Sequence, residues 1–487
     1  MSVHERLLQH LATWGLREFR HEGDYYAWQR ESLSPQVLHR LHALAENRQG
    51  GTNAEADQAF YDLASSSTVL PILYSQRFGY YRAVGTAIIQ CLDDCLQSGQ
   101  SVLDLGCGVG ILTTWYASVF PDCVFTGVDR SSRSIAVARQ HAEALKLNNL
   151  SFHARAIPED DLPGTFDVII STQALFQSET DPGLPSRSWE GFEREDDAER
   201  QTVCETRTGI GERLDWALRR MNPTGRLLAF EKASHLGRRV LFQRTLASRG
   251  LYCDRDPVFL RYSSVDEHML DGPLYSLTLE RSAFGFDETP LLEPLDRVYR
   301  CQGKSADWVW SRFLEFGSLE QPVSSWSGDQ QIQWQVCRTE AGFVCWRLCI
   351  ADTFVGVLVG AREDEAWFKS LVEERIQSGH HGKSIQEALR GLWSTGESSD
   401  FQLTPLYENH TPSAQDIWQR LPDRVIHRET TQTKPDGQQF HVELGHCAGH
   451  FVYLYWANTF DQRQIVVMEK AREPILEEYF SESGELS

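Results

Sequence analysis

Val102-Leu-Asp-Leu-Gly-Cys-Gly-Val-Gly-Ile111 decides how the middle of this chain folds. An apolar strand pattern ends at Leu105 and a glycine-rich turn follows. Gly106, Gly108 and Gly110 let the backbone turn sharply and approach a ligand without a Cβ in the way. The helix pattern that starts at Ile111 presents free backbone N–H groups at its first turn. Ligands of open α/β sheets bind at such carboxyl ends of strands. A glycine pattern alone is weak, but three further features agree with it. Asp104 stands two residues before the first glycine. A second strand pattern ends in Gly127-Val-Asp129, 23 residues after Gly106, where an acidic side chain can accept both hydroxyls of a ribose. Phe166-Asp-Val-Ile-Ile-Ser171 supplies a fourth strand at the expected distance. A nicotinamide-dinucleotide fingerprint wants a third glycine where Ile111 stands, so that reading loses.

Outward from this stretch, short apolar strands alternate with helices. The pattern predicts strands at 101–105, 123–128, 150–154, 166–171, 225–230, 258–262 and 275–279, and helices at 111–119, 134–145, 213–221 and 238–248. Alternation of this kind means a parallel sheet covered on both faces. The expected fold class is α/β: a doubly wound, mostly parallel, seven-stranded sheet over residues 71–285. An N-terminal helical region precedes it over 1–70, with leucines at three- and four-residue spacing, and a C-terminal α+β domain follows over 295–487. Residues 177–206 break the alternation with a polar run that includes Glu193-Arg-Glu-Asp-Asp-Ala-Glu-Arg200. A loop this long inside a compact domain is a solvated insertion or a substrate lid, and both readings stand.

The last third has a different character. It holds nine of the fourteen tryptophans, Trp393 among them. Gly342-Phe-Val-Cys-Trp-Arg-Leu-Cys-Ile350 and His450-Phe-Val-Tyr-Leu-Tyr-Trp456 read as strands. Each is followed by Ala-Asp/Asn-Thr-Phe (351–354 and 457–460) and later by Ala-Arg-Glu (361–363 and 471–473), which points to two related structural units with unequal spacing.

Bulk composition narrows the class. The 487 residues are 41% hydrophobic and 24% charged, which excludes disorder along most of the chain and suits two or three domains. No apolar run approaches the ~20 residues of a membrane span, and Met1-Ser-Val-His-Glu-Arg6 lacks the layout of a signal peptide. The expected location is the cytoplasm, with no membrane partner. A net charge of -21 repels phosphate backbones and disfavours a nucleic-acid partner. Residues 301–487 alone carry 16 Lys and Arg against 27 Asp and Glu, so no basic module hides there. Eleven cysteines without a Cys-x-x-Cys pair read as reduced, mostly buried thiols.

The glycine turn, Gly127-Val-Asp-Arg130, the fourth strand and Met221-Asn-Pro-Thr-Gly-Arg-Leu-Leu-Ala-Phe230 together resemble the class I, Rossmann-like, S-adenosylmethionine-dependent methyltransferases. The resemblance covers residues 74–282, under half the chain, and makes 71–285 the methyltransferase domain. It implies S-adenosyl-L-methionine as the cofactor. Asp104, Gly106, Cys107, Gly108 and Gly110 would border its methionine moiety. Asp129 would bind the ribose, with Arg130 beside the adenine. Ser171 and Gln173 would lie near the sulfonium and methyl group. Tyr81 or Arg82, on the helix before the first strand, would meet the cofactor carboxylate. The family often has an acidic residue after the third strand to bind the adenine amine. Here the run is His153-Ala-Arg-Ala-Ile-Pro-Glu-Asp-Asp161, so Ile157 would pack on adenine and Glu159 or Asp160 would supply the carboxylate.

The expected activity is methyl transfer to a small-molecule acceptor by in-line displacement. The alternatives are a protein or peptide methyltransferase whose C-terminal domain recruits the polypeptide, and a cofactor-binding protein without transfer activity. Ser171-Thr-Gln-Ala174 stands where an Asn-Pro-Pro-Tyr-type motif would mark amide or base nitrogen acceptors. His235, after the fifth strand, is the candidate general base for a hydroxyl acceptor. His446-Cys447-Ala-Gly-His450 holds metal-ligand types, yet no second cluster stands at structural-zinc spacing, and His380 and His381 could join only through the fold. The stretch reads as a turn, and no metal is expected. The C-terminal domain is expected to shape the substrate entrance or to mediate self-association into a homo-oligomer.

Overall fold

The structure, a computed structural model, describes residues 2–19, 22–49, 54–177, 181–265, 268–291, 294–327, 330–340, 342–350, 354–379, 404–410, 412–435 and 437–485. Trp393, His380, His381 and residues 351–353 lie outside them. The chain forms two compact units. The first is Met1–Leu184 with Asp196–Glu288, and the second is Pro185–Glu195 with Thr289–Ser487. No helix among the described residues is long and apolar enough to cross a membrane.

The first unit opens with α1 (Val3–Thr13), α2 (Glu22–Ser32), α3 (Pro35–Gln49), α4 (Ala54–Ala64), α5 (Leu70–Ser75) and α6 (Phe78–Cys95). Then come β1 (Ser101–Leu105), α7 (Ile111–Val119), β2 (Val124–Asp129), α8 (Ser132–Ala144), β3 (Leu150–Ala154) and β4 (Phe166–Thr172). It continues with α9 (Ala198–Thr208), α10 (Ile210–Leu218), β5 (Met221–Phe230), α11 (Leu236–Ser248), β6 (Tyr252–Cys253), β7 (Val258–Ser263) and β8 (His268–Thr278). Strand order is β3-β2-β1-β4-β5-β8-β6, with β7 paired to β8. Strands β1 to β5 run parallel, and β8 runs antiparallel to β5. The fold is the expected α/β sheet, with eight strands rather than seven. The additional strand, β6, has two residues, too few to show a periodicity. Strand β8 is also longer than the pattern suggests, because its first half pairs with β7 and its second half with β5 and β6.

Some boundaries differ for local reasons. The helix expected at 213–221 is α10, which ends at Leu218, and Met221 already opens β5. Gly209, at φ +67°, separates α10 from α9. Asp197 caps α9 by accepting from the N–H groups of Glu199 and Arg200, so the charged run at 193–200 ends in a helix start. The N-terminal residues Leu7, Leu11, Trp14 and Leu16 share one core with Val84, Ile88, Val102, Trp115 and Phe230.

In the second unit, β9 (Tyr299–Gln302), α12 (Gly303–Phe316), β10 (Gly317–Leu319), β11 (Val323–Ser327), β12 (Gln330–Thr339), β13 (Phe343–Ile350), β14 (Phe354–Ala361) and α13 (Glu365–Gly379) form one half. The other half is β15 (Tyr407–His410), α14 (Pro412–Arg420), β16 (Val425–Thr433), β17 (Gln439–Cys447), β18 (Phe451–Asn458), β19 (Arg463–Glu469) and α15 (Glu473–Glu485). The first sheet runs β10-β12-β13-β14-β9 and the second β16-β17-β18-β19-β15, so in each the opening strand pairs with the last. Tyr299 and Tyr407, Phe343 and Phe451, and Glu365 and Glu473 open equivalent elements, each pair 108 residues apart. One face of each sheet enters a common core with Trp310, Phe313, Trp418, Tyr453 and Tyr455. The other faces are covered by Phe368 of α13 and by Leu476 and Phe480 of α15.

Residues 185–195, part of the interrupting segment at 177–206, are bound into this second unit. The Ser186 N–H donates to the Thr459 carbonyl at 2.6 Å. Trp189 stacks on His441 with ring centres 3.5 Å apart. Arg463, fully buried, donates to the carbonyls of Trp189 (3.1 Å) and Gly191 (2.8 Å).

Candidate functional site

The chain turns from β1 to β2 and β3 on one side and returns through β4 and β5 on the other. That reversal opens a crevice at the carboxyl ends of β1 and β4, where α/β sheets bind ligands. Leu105 pairs with Val128 on one side and Ser171 on the other, so the glycine turn, Asp129 and the residues after Ser171 emerge at the same edge.

The turn is built by backbone bonds. The N–H groups of Gly106 and Cys107 both donate to the Val128 carbonyl, at 2.8 and 3.1 Å. Gly106 (φ +68°), Gly108 (φ +56°) and Gly110 (φ +83°) are left-handed, which explains the glycines. A Cβ on Gly110 would lie 2.8 Å from the Phe152 ring and 2.9 Å from Ala138, so this glycine lets α7 sit against β3 and α8. A Cβ on Gly108 would meet nothing within 4 Å, so that side of the turn is an open cradle. The Gly108 N–H donates to Asp129 Oδ2 at 3.0 Å, and the Ser131 N–H to Oδ1 at 2.8 Å. Two backbone donors thus fix the carboxylate of Asp129 at the end of β2, while burial raises its pKa above the ordinary range.

Asp104 is buried, and burial pushes its pKa up to about 7. Its Oδ2 accepts from the Thr113 hydroxyl at 2.6 Å, and its Oδ1 has no partner. Cys107 lies between these two acids, and burial together with Asp129 and Asp104 holds its thiol well above the usual range. It packs against the cluster of Ile135, Ala138 and Phe152.

On the β4 side, Gln173 takes the left-handed conformation (φ 58°), and its N–H donates to the Phe230 carbonyl at 2.7 Å. Its Oε1 accepts from Arg77 at 2.5 Å, and its buried Nε2 has no partner. Ser171 donates its hydroxyl to Glu231 Oε1 at 3.2 Å. The same oxygen accepts from the N–H groups of Ala174 (3.1 Å) and Leu175 (3.0 Å). Glu231 is buried, and burial pushes it up to about 7. Arg77 also stands over the Tyr80 ring at 4.2 Å. Tyr80 meets Tyr262 edge-on, and Tyr262 donates to Asp271 at 3.1 Å.

The structure brings Asp104, Gly106, Cys107, Gly108, Gly110, Asp129, Ser171 and Gln173 together at one edge of the sheet. Arg130, also at the end of β2, is exposed and stands 5.7 Å over the Tyr61 ring. Tyr81 is buried among Tyr74 and Tyr80. Arg82 pairs with Glu18 at 2.5 Å, and the cation on this helix that reaches Gln173 is Arg77, at the helix start. Ile157 is half-buried, and the Asp160 carboxylate accepts from the Ala156 N–H at 2.8 Å, closing the turn after β3. Glu159 is exposed. His235 is exposed at the start of α11, four residues beyond the buried acid at the end of β5. Sequence reasoning passed over Glu231 and Arg77. The available signal for Glu231 was an acid placed directly after the fifth strand, on the ligand side of the sheet.

S-adenosylmethionine fits this set of residues. The cradle at Gly108 is open, Asp129 is presented beside it, and the orphaned Asp104 Oδ1 and Gln173 Nε2 offer an acceptor and a donor at the same edge. Sheet order and site together define a class I S-adenosylmethionine-dependent methyltransferase domain. Residues 96–206 match the model of a family described as a methyltransferase domain. Trans-aconitate 2-methyltransferase of Deinococcus radiodurans is 39% identical over 89 residues, 18% of this chain and 32% of that one. Ribosomal RNA small subunit methyltransferase G of Bacteroides fragilis is 41% identical over 80 residues, 16% of this chain and 37% of that one. A solved magnesium protoporphyrin IX methyltransferase from Synechocystis PCC 6803 aligns over 42% of this chain and 81% of its own, with 16% identity and a TM-score of 0.29. The chain spans less than half the length of the curated relatives it matches.

Proposed function

We propose that this protein transfers a methyl group from S-adenosylmethionine to a small-molecule acceptor by in-line displacement. The observation that carries the reading is Asp129, held by the Gly108 and Ser131 N–H groups next to an open glycine cradle. When bound, S-adenosylmethionine supplies an electrophilic methyl group on a sulfonium. The residues of the chain have to hold and orient. Asp129 accepts from the ribose hydroxyls, and the glycine turn lets the backbone lie close to the methionine moiety. Arg77, at the start of α6, offers a carboxylate a charge-assisted donor. Gln173 and the segment after it, fixed by Glu231, form the rim on which an acceptor is oriented. Orientation alone accounts for much of the rate of such a displacement.

A small acceptor is favoured by the net charge of -21, which repels a polyanion such as RNA. A trans-aconitate methyltransferase among the relatives is in keeping with that. The test is calorimetric titration of S-adenosylmethionine and S-adenosylhomocysteine into the wild type and Asp129→Ala. Micromolar binding weakened at least ~30-fold by the substitution is expected, because two charge-assisted hydrogen bonds are lost. Equal binding by both proteins overturns the assignment of Asp129. Methyl transfer from labelled cofactor to a metabolite pool, and not to RNA or protein, then tests the acceptor class.

A further inference from the structure

Three side chains far apart in sequence meet on the outer face of the second half of the second unit. His427, His446 and Glu473 each offer a ligand atom, and these atoms lie within 4.8 Å of one another. His446 Nε2 is 2.8 Å from Glu473 Oε1, and the two imidazole rings are 3.9 Å apart at 50°. Neither Cys447 nor His450 takes part. Cys447 is fully buried, and His450 stacks on Phe316.

The backbone makes this meeting by a local irregularity. In the β16–β17 ladder, Val425 opposes His446 and Ile426 opposes Gly445, but Arg428 already opposes Leu444. His427 is the extra residue of a bulge. Bulges re-aim a side chain, and this one sets His427 beside His446 while Arg428 lies over Phe480 of α15.

The first half of the same unit shows what this place in the fold holds. Arg338 opposes Val344 in the ladder just as His446 opposes Val452. Arg338 bonds to Glu365, the first residue of α13, just as His446 bonds to Glu473, the first residue of α15. A second carboxylate, Glu320, pairs with Arg338 at 2.6 Å. The first half thus ties β12 to its closing helix α13 through a fixed cation. At the equivalent place the second half has two imidazoles and one carboxylate.

We propose that His427, His446 and Glu473 bind a divalent transition-metal ion, Zn2+ in the first instance. Two imidazole nitrogens and a carboxylate oxygen are the ligand types that suit it, and three protein ligands leave a fourth position for water. The metal does in the second half what the Arg338 guanidinium does in the first: it supplies the positive charge that joins strand β17 to α15. The exposed side of His427 gives the ion its way in.

The test titrates Zn2+ into the metal-free full chain against a chromophoric chelator, with Co2+ as a spectroscopic substitute. His427→Ala is the main variant, because the residue is exposed on a bulge and its loss leaves the metal-free fold intact. One ion per chain is expected, weakened at least ~10-fold by His427→Ala, since even the loss of a partner outside the ligand set costs that much. His450→Ala is expected to bind as the wild type does. Zn2+ is also expected to raise the unfolding midpoint of the wild type and to lose that effect in His427→Ala. The Co2+ spectrum is expected to lack thiolate charge transfer. No saturable Zn2+ binding up to about 1 mM, undiminished affinity in His427→Ala, or a thiolate-dominated Co2+ spectrum each overturns the proposal.

Discussion

Glu231→Gln isolates the thermodynamic consequence of the buried acid beside the crevice. Burial pushes the pKa of Glu231 from 4.5 to about 7 in the folded protein. Between these values the folded state keeps a proton that the unfolded state has released. Stability therefore falls as pH rises through this window, in full measure by about pH 8. The size follows from the gap: about 3 kcal/mol, at the usual free energy per decade of proton affinity. The amide oxygen of glutamine can accept the same bonds from Ser171, Ala174 and Leu175, and it does not titrate. Asp104, pushed to a similar value, is present in both proteins and cancels. Equilibrium urea unfolding of the wild type and Glu231→Gln at pH 5 and pH 8 measures the effect. The stability difference is expected to move by about 3 kcal/mol in favour of the variant between the two pH values. A difference that stays constant with pH would refute the reasoning. It would mean that the carboxylate is ionised at both pH values, stabilised by the N–H groups that converge on it.

The glycine turn separates folding from binding. Gly108→Ala is expected to cost about 1 kcal/mol of stability for its left-handed backbone and to weaken S-adenosylmethionine at least ~10-fold, because its Cβ enters the open cradle; calorimetry and thermal unfolding read the two effects apart. Gly110→Ala adds contacts of 2.8 and 2.9 Å with Phe152 and Ala138, so its expected cost is about 3 kcal/mol. In the second unit, Arg463→Met leaves the carbonyls of Trp189 and Gly191 and the side chain of Gln415 without their buried donor. The expected loss is about 3 kcal/mol, with tryptic cleavage at the exposed Arg187 at least ~10-fold faster; an unchanged cleavage rate would show that Arg463 does not hold the segment.

How far the site could be read in advance depended on sequence distance. Asp104, Gly106, Gly108 and Gly110 act through one turn, and Asp129 meets Gly108 because β1 and β2 are neighbours in register. Local spacing therefore carries the information, and the strands from β1 to β5 were legible for the same reason. Glu231 is different. Its burial depends on the backbone after Ser171 folding back over the end of β5, which brings the N–H groups of Ala174 and Leu175 to one carboxylate oxygen. Nothing in the order Phe230-Glu231-Lys232 says so. Arg77 and Arg82 show the same limit. Both are cations near the start of one helix, and the sequence does not say that Arg77 reaches Gln173 while Arg82 pairs with Glu18.

The second unit shows how sequence likeness can point to a repeat and still misalign it. Ala-Asp/Asn-Thr-Phe and Ala-Arg-Glu recur at 106 and 110 residues, so neither matches the 108-residue offset at which Phe343 and Phe451, or Glu365 and Glu473, begin equivalent elements. The structural equivalents themselves have diverged: Cys345 stands for Tyr453 and Arg347 for Tyr455. Topology and register are constrained by the strand pairing within each sheet and by burial of both faces, and a strand that slips by one residue turns its core side outward. Individual side chains are not so constrained, because a common core tolerates exchange of volume between its two halves. The tie of β12 to α13, and of β17 to α15, is freer still. It requires only that a carboxylate at the helix start find a positive partner, which Arg338 provides in one half. The replacement by His446 in the other, with His427 moved beside it by a bulge, keeps the geometry of the tie while changing its chemistry from a permanent cation to a pair of imidazoles.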